Sequence, residues 1–64
     1  MKFTYDKDVD AAYVYFEYPL QEGAVKETVE VDENIILDFD GNHELIGVEI
    51  LNASKVLHKK MILA

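Results

Sequence analysis

Four side chains between Asp38 and Glu49 have the types and spacing of a calcium-binding loop. Counting Asp38 as the first position, Asp38, Asp40, Asn42 and Glu49 meet the pattern D-x-[DN]-x-[DN]-G-x5-E, with Leu45 at the usual hydrophobic position. Hard divalent cations take oxygen ligands, so carboxylates and an amide at alternate positions could cup one. The departure is His43, which stands where the pattern needs a glycine for its sharp turn. A second alternation, Asp6, Asp8 and Asp10, could hold a cation in the same way. His43 and His58 are the side chains whose ordinary pKa lies near neutrality. They sit two elements apart, and no serine lies beside either in a nucleophile context; Ser54 reads better as a helix cap. No catalytic residue and no metal-ligating set is assigned.

The elements that would position these residues decide between chemistry and turns. Five short runs carry β-branched or aromatic residues with turn signals between them, near 2–5, 11–18, 24–31, 34–39 and 44–50. The connections Asp6 to Asp10, Pro19 to Gly23, Asp32 to Asn34 and Asp40 to His43 are short and rich in Asp, Asn, Gly and Pro. Short connections imply antiparallel hairpins, because a parallel return needs a dozen or more residues. The expected fold class is therefore α+β: an antiparallel β-meander of about five strands with one C-terminal helix, in a single domain over 1–64. On that frame Glu49 stands well up a strand at ~3.3 Å per residue, too far to close a site at the hairpin tip. The Asp38 to His43 stretch becomes a hairpin turn, and Asp6 to Asp10 a connection capped by its own aspartates.

Alternation assigns the faces. Phe3, Tyr5, Val14, Phe16, Val25, Val29 and Val31 fall at period-two positions and share one face; Lys2, Thr4, Lys26, Thr28 and Glu30 make the other. Tyr13 and Tyr15 break the polar-out pattern, and the fourth and fifth strands are apolar on both sides. Tyr13, Tyr15, Ile36 and Leu45 are thus the candidate interaction face, packing on another subunit or a partner protein. From Ala53 the spacing turns helical through Val56, Leu57 and Met61, with Asn52 or Ser54 as the cap and a helix over about 53 to 61. So short a helix must dock its apolar stripe, and Ile62, Leu63 and Ala64 extend that stripe.

Composition narrows the partners. The formal net charge is −7; residues 1–52 hold three lysines against all thirteen carboxylates, whereas residues 53–64 hold Lys55, Lys59 and Lys60 and no acid. An acidic chain without arginine repels phosphate backbones, which argues against nucleic acid. No apolar run approaches the ~20 residues of a membrane span. Cysteine is absent, which removes disulfides, thiolate zinc sites and thiol nucleophiles. A domain of 64 residues buries only ~60% of its unfolded surface, so association is the expected remedy for a small core.

Three segments taken together resemble a known family. FTYDKDVDAAYVYF at 3–16 and NIILDFDGNHELIGVEILNASK at 34–55, with the variable stretch between, are similar to a prokaryotic family of small proteins catalogued as domain of unknown function 2283. The shared signals are Tyr5-Asp6, Asp10-Ala11 and Gly47-Val48-Glu49-Ile50-Leu51-Asn52-Ala53-Ser54, with Asn52 where the family usually has Asp. The resemblance implies a compact β-meander with a C-terminal helix, and carries no activity, cofactor or catalytic residue. The functional expectation is a small acidic cytoplasmic interaction module, not an enzyme and without a cofactor. It self-associates and binds a basic partner protein, as an antitoxin-like protein would neutralise a nucleic-acid-binding product. The alternative is a weak divalent-cation-binding or catalytic domain using the Asp-rich turns.

Overall fold

The computed structural model describes residues 1–63. The chain runs β1 (Lys2–Asp6), β2 (Ala11–Tyr15), β3 (Glu27–Glu30), β4 (Ile35–Phe39), β5 (Leu45–Leu51), α1 (Ala53–Val56) and α2 (Lys59–Leu63). All strand pairings are antiparallel, in one five-stranded sheet of order β1-β2-β5-β4-β3. The α+β class expected from the sequence stands; its strand order is not that of a simple meander. β3-β4-β5 is a meander and β1-β2 a hairpin, joined by β2 pairing with β5.

The expected hairpin between the second and third strands is the point of difference. β2 stops at Tyr15 and β3 starts at Glu27, so residues 16–26 carry the chain past β5 and β4 to the far edge. That is three strand spacings, ~14 Å. Pro19 cannot donate to a ladder, and Gly23 takes φ 77°. These residues therefore form a crossover instead of strand ends.

Register makes the two faces explicit, because directly paired residues share a side of the sheet. One inner row runs across all five strands as Phe3, Val14, Val48, Leu37 and Val29. The next is Tyr5, Ala12, Ile50 and Ile35. On the outer face the rows are Thr4, Tyr13, Glu49, Ile36, Glu30 and Lys2, Tyr15, Gly47, Asp38, Thr28. The period-two assignment of Phe3, Tyr5, Val14 and Val29 against Lys2, Thr4, Thr28 and Glu30 agrees with this register.

The core is small. Ala12, Ile50 and Ala53 form its buried cluster, with Phe3, Tyr5, Val14, Val48 and Leu57 packed against it. The expected single helix over 53 to 61 is two helices, because Leu57 is extended at φ −85°, ψ 151° between them. That break turns the Leu57 side chain onto the cluster. α1 packs on β5, and in α2 Met61 is exposed while Ile62 is half-buried. Ile62 and Leu63 fall within α2, and Ala64 lies outside the described residues. No helix among the described residues is long and apolar enough to cross a membrane.

Candidate functional site

The four residues of the calcium-loop pattern do different jobs. Asp40 Oδ1 accepts the Asn42 and Glu44 amides at 2.8 and 3.0 Å, and His43 takes φ 63° to complete the turn. Histidine is among the residues that tolerate this left-handed conformation. Glu49 lies mid-sheet between Tyr13 and Ile36. Asp38 points to side chains on two other strands, described below. The same device recurs at the other turns, where Asp6 Oδ1 accepts the Asp8 amide at 2.9 Å and Asp32 Oδ1 accepts those of Asn34 and Ile35. Among the described residues no three His, Asp or Glu side chains gather as cation ligands would.

Asp10 is the most heavily used carboxylate. Its left-handed backbone, φ 54°, turns it toward the start of α1. Its carbonyl accepts the Ala53 amide at 2.9 Å, and its Oδ1 accepts the Ser54 amide at 2.9 Å. The Ser54 hydroxyl donates to Oδ2 at 2.6 Å and the Tyr5 hydroxyl to Oδ1 at 2.7 Å. Ser54 first and Tyr5 second hold the Asp10 carboxyl below its ordinary pKa, since both bonds favour the charged form. The Tyr5 phenol is raised in turn, chiefly by its bond to that carboxylate. Asn52 stands at the N-cap of α1, as the sequence suggested, and its carbonyl accepts the Lys55 amide at 2.9 Å, but neither its side chain nor that of Ser54 accepts a backbone amide there. Asn52 is left-handed at φ 53° with no side-chain capping bond, and its Nδ2 donates to Asn34 Oδ1 instead. The cap comes from Asp10, 44 residues upstream of Ser54.

The outer face carries the second constellation. Tyr13 leans from β2 across Gly47 of β5 and donates to Asp38 Oδ2 on β4 at 2.5 Å, while Thr28 of β3 donates to Oδ1 at 3.0 Å. Gly47 makes this passage, because a Cβ there would overlap the Tyr13 hydroxyl and ring edge. Burial first, and then the bond to Asp38, push the Tyr13 phenol well above its ordinary pKa. Its ring lies 4.5 Å from that of Tyr15, which lies 5.0 Å from Tyr18 in an edge arrangement. Lys2 Nζ stands 4.5 Å over the Tyr18 ring.

Of the expected interaction face, Tyr13, Tyr15 and Ile36 share the outer side by register, half-buried, with Glu49 between Tyr13 and Ile36. Leu45 lies past the register shift at Asp38 and Phe39, opposite Phe39, so alternation no longer assigns it to that side. Sequence reasoning missed Tyr18 and Lys2 as extensions of the tyrosine row. It also missed the roles of Gly47 and Asp38, whose signal is visible only once β2, β5 and β4 are set side by side. His43 Nδ1 is 3.7 Å from Glu27 Oε1 at the surface, and His58 Nδ1 accepts the Lys60 amide.

These features define a small α+β domain with an open antiparallel sheet, an aspartate-capped helical tail and an outer face of tyrosines among carboxylates. The chain belongs to the protein family of unknown function DUF2283, whose match covers residues 2–54. It is similar to an uncharacterized protein of Methanocaldococcus jannaschii, 42% identical over 59 residues, or 91% of this chain. The chain spans 46% of that relative's length. No solved structure matches it. The motifs that carried the family resemblance, Tyr5, Asp10 and Ala53-Ser54, are the residues that meet at the α1 cap.

Proposed function

We propose that the chain is a non-enzymatic, cytoplasmic protein-interaction module that self-associates and docks a basic partner protein on its outer face. One observation carries the docking: Tyr13, Tyr15 and Tyr18 form a continuous aromatic row on a face that also bears Glu30, Asp38 and Glu49. Tyrosines offer large contact area at low entropy cost and are enriched where binding energy concentrates. Carboxylates around them favour lysine and arginine, and the Lys2 ammonium over Tyr18 shows the ring accepting a cation within the chain itself. A basic, nucleic-acid-binding protein fits this chemistry, its anion-binding surface covered as an antitoxin covers a toxin.

Self-association is supported by the core. Ten large apolar side chains are exposed, and no large one is fully buried among the described residues. The docking half is tested by isolating the native chain from its own source at low salt. A stoichiometric basic protein, released by ~0.5 M salt and lost with Tyr15→Ser, is the expected result. Native chain recovered without a bound protein, or with one whose retention ignores both salt and Tyr15, overturns it.

A further inference from the structure

The inner face is buried unevenly, with Ile50 7% exposed and Leu37 half-buried. Phe3, Val14 and Val48 pack on the cluster that holds α1, but Leu37 and Val29, the continuation of the same row, do not. Val29 is 39% exposed and Val31 57%. The Val31 amide donates to the Ile35 carbonyl at 2.8 Å, which places Val31 beside the second inner row. Meanwhile α2 is a short helix whose Met61 is 48% exposed. A helix of five residues gains its stability from what it docks on.

Surface area sets the scale of what is missing. The chain exposes 4780 Å², whereas a folded monomer of its 7.3 kDa mass exposes about 4,200 Å². The chain thus exposes about 600 Å² more than a compact monomer of its size. Charge says which surface fits. The segment 53–63 carries Lys55, Lys59 and Lys60 with no carboxylate, while 27–33, the β3 edge and its turn, carries Glu27, Glu30, Asp32 and Glu33 with no cation. A two-fold interface brings each such pair together twice, because the same patch serves both subunits.

We infer that the open half of the inner face is covered by a second copy of this chain. The α2 segment of each copy lies over β3 and β4 of the other, Met61 against Val29, Val31 and Leu37, and Lys59 and Lys60 along the partner's acidic β3 edge. This rests on the self-association part of the function proposed above and names its surface. The outer tyrosine face stays free in such a dimer, so association and partner docking use opposite sides of the sheet.

Sedimentation equilibrium of the full chain at 0.1 M salt tests this, with amide spectra reporting the fold of every variant. The wild type is expected to be a dimer at micromolar concentration. Val29→Lys and Met61→Lys each weaken it roughly tenfold or more. The charge reversal Lys59→Glu with Lys60→Glu weakens it as well, and adding Glu27→Lys with Glu33→Lys restores it. Those last two variants leave the apolar face intact, so they decide the matter even if a lysine there disturbs folding. A wild-type chain that is native and monomeric at ~100 µM overturns both this inference and self-association itself. A dimer indifferent to these changes but broken by Tyr15→Ser overturns the inference alone and moves the interface to the outer face.

Discussion

Across the inner face, the row Phe3, Val14, Val48, Leu37, Val29 is apolar from one edge of the sheet to the other, yet its two ends are treated differently. At the β1-β2-β5 end, α1 descends onto the sheet, Ala53 is fully buried, and Leu57 packs on the same cluster. At the β3-β4 end Leu37 is half-buried and Val29 is 39% exposed, and neither is among the residues packed on that cluster. The strands are alike in pattern, so local sequence does not explain the contrast. What separates the ends is tethering. The sealed end has Asp10, whose carbonyl and carboxylate fix the first residues of α1, whereas among the described residues no equivalent bond holds α2 to the sheet. A short apolar helix covers a sheet only where something pins it.

The strongest way to break the contrast is to remove side chains from its two ends. Ile50→Ala, in the sealed half at 7% exposure, is expected to cost roughly 2–5 kcal/mol. That is a large part of the ~3–10 kcal/mol available to a domain of 64 residues. Val29→Thr, in the open half, should change the stability of the isolated chain by no more than about 0.5 kcal/mol, as at other exposed positions. Urea titrations at submicromolar concentration, below the range of the proposed association, give both values. Equal losses at the two positions would mean that the open half is sealed within one chain.

Gly47 offers the next largest effect, on the opposite side of the sheet. Its missing Cβ lets Tyr13 cross β5 to Asp38, so three of the five strands are tied on the outer face by one phenol. Gly47→Ala forces Tyr13 aside, at about 1–3 kcal/mol for overpacking and the bond it breaks. Absorbance titration of the four tyrosines offers a separate readout. Tyr13 titrates late in the wild type, since its pKa is raised, and should move back toward its ordinary value in the variant. A Tyr13 that still titrates late in Gly47→Ala would show that the passage over Gly47 is not what holds it.

Much of this is legible in the sequence, and the rest is hidden there for physical reasons. Strand existence and faces followed from period-two alternation at Phe3, Tyr5, Val14 and Val29, because each side chain needs only its own strand to choose a side. The turn chemistry of Asp6, Asp32 and Asp40 is equally local, a carboxylate reaching amides two to four residues on. Strand order was not local. Pairing β2 with β5 depends on a crossover at 16–26 that reads as a hairpin turn with Pro19 and Gly23 in it. The outer site inherits that difficulty: Tyr13 and Tyr15 stand out in the sequence, but Asp38, Gly47 and Thr28 join them only once the order is known. Asp10 shows the same limit from the other direction. It read as an aspartate capping its own turn, with a cation site as the alternative, and it is a helix cap for a segment at the far end of the chain.

That cap supplies the subtlest test of why one end is sealed. Asp10→Asn keeps an oxygen that can accept the Ser54 amide or the Tyr5 hydroxyl, but it removes the charge that strengthens all three bonds. The loss should be smaller than in Ile50→Ala or Gly47→Ala, and it should depend on pH. Because the folded carboxyl titrates below its ordinary 3.8, the unfolded chain binds more protons in the interval between the two values. The contribution of Asp10 is therefore complete above 3.8 and disappears as pH falls through the lower, folded value. Wild type and Asp10→Asn should differ in stability near pH 6 and converge as the pH drops below that window. Hydrogen exchange would locate the effect: amides at Ala53 and Ser54 lose protection in the variant at pH 6, while those of β3 and β4 do not. If instead protection falls evenly over the sheet, Asp10 supports the whole domain and the sealed end owes its cover to apolar packing by Ala53 and Leu57 alone.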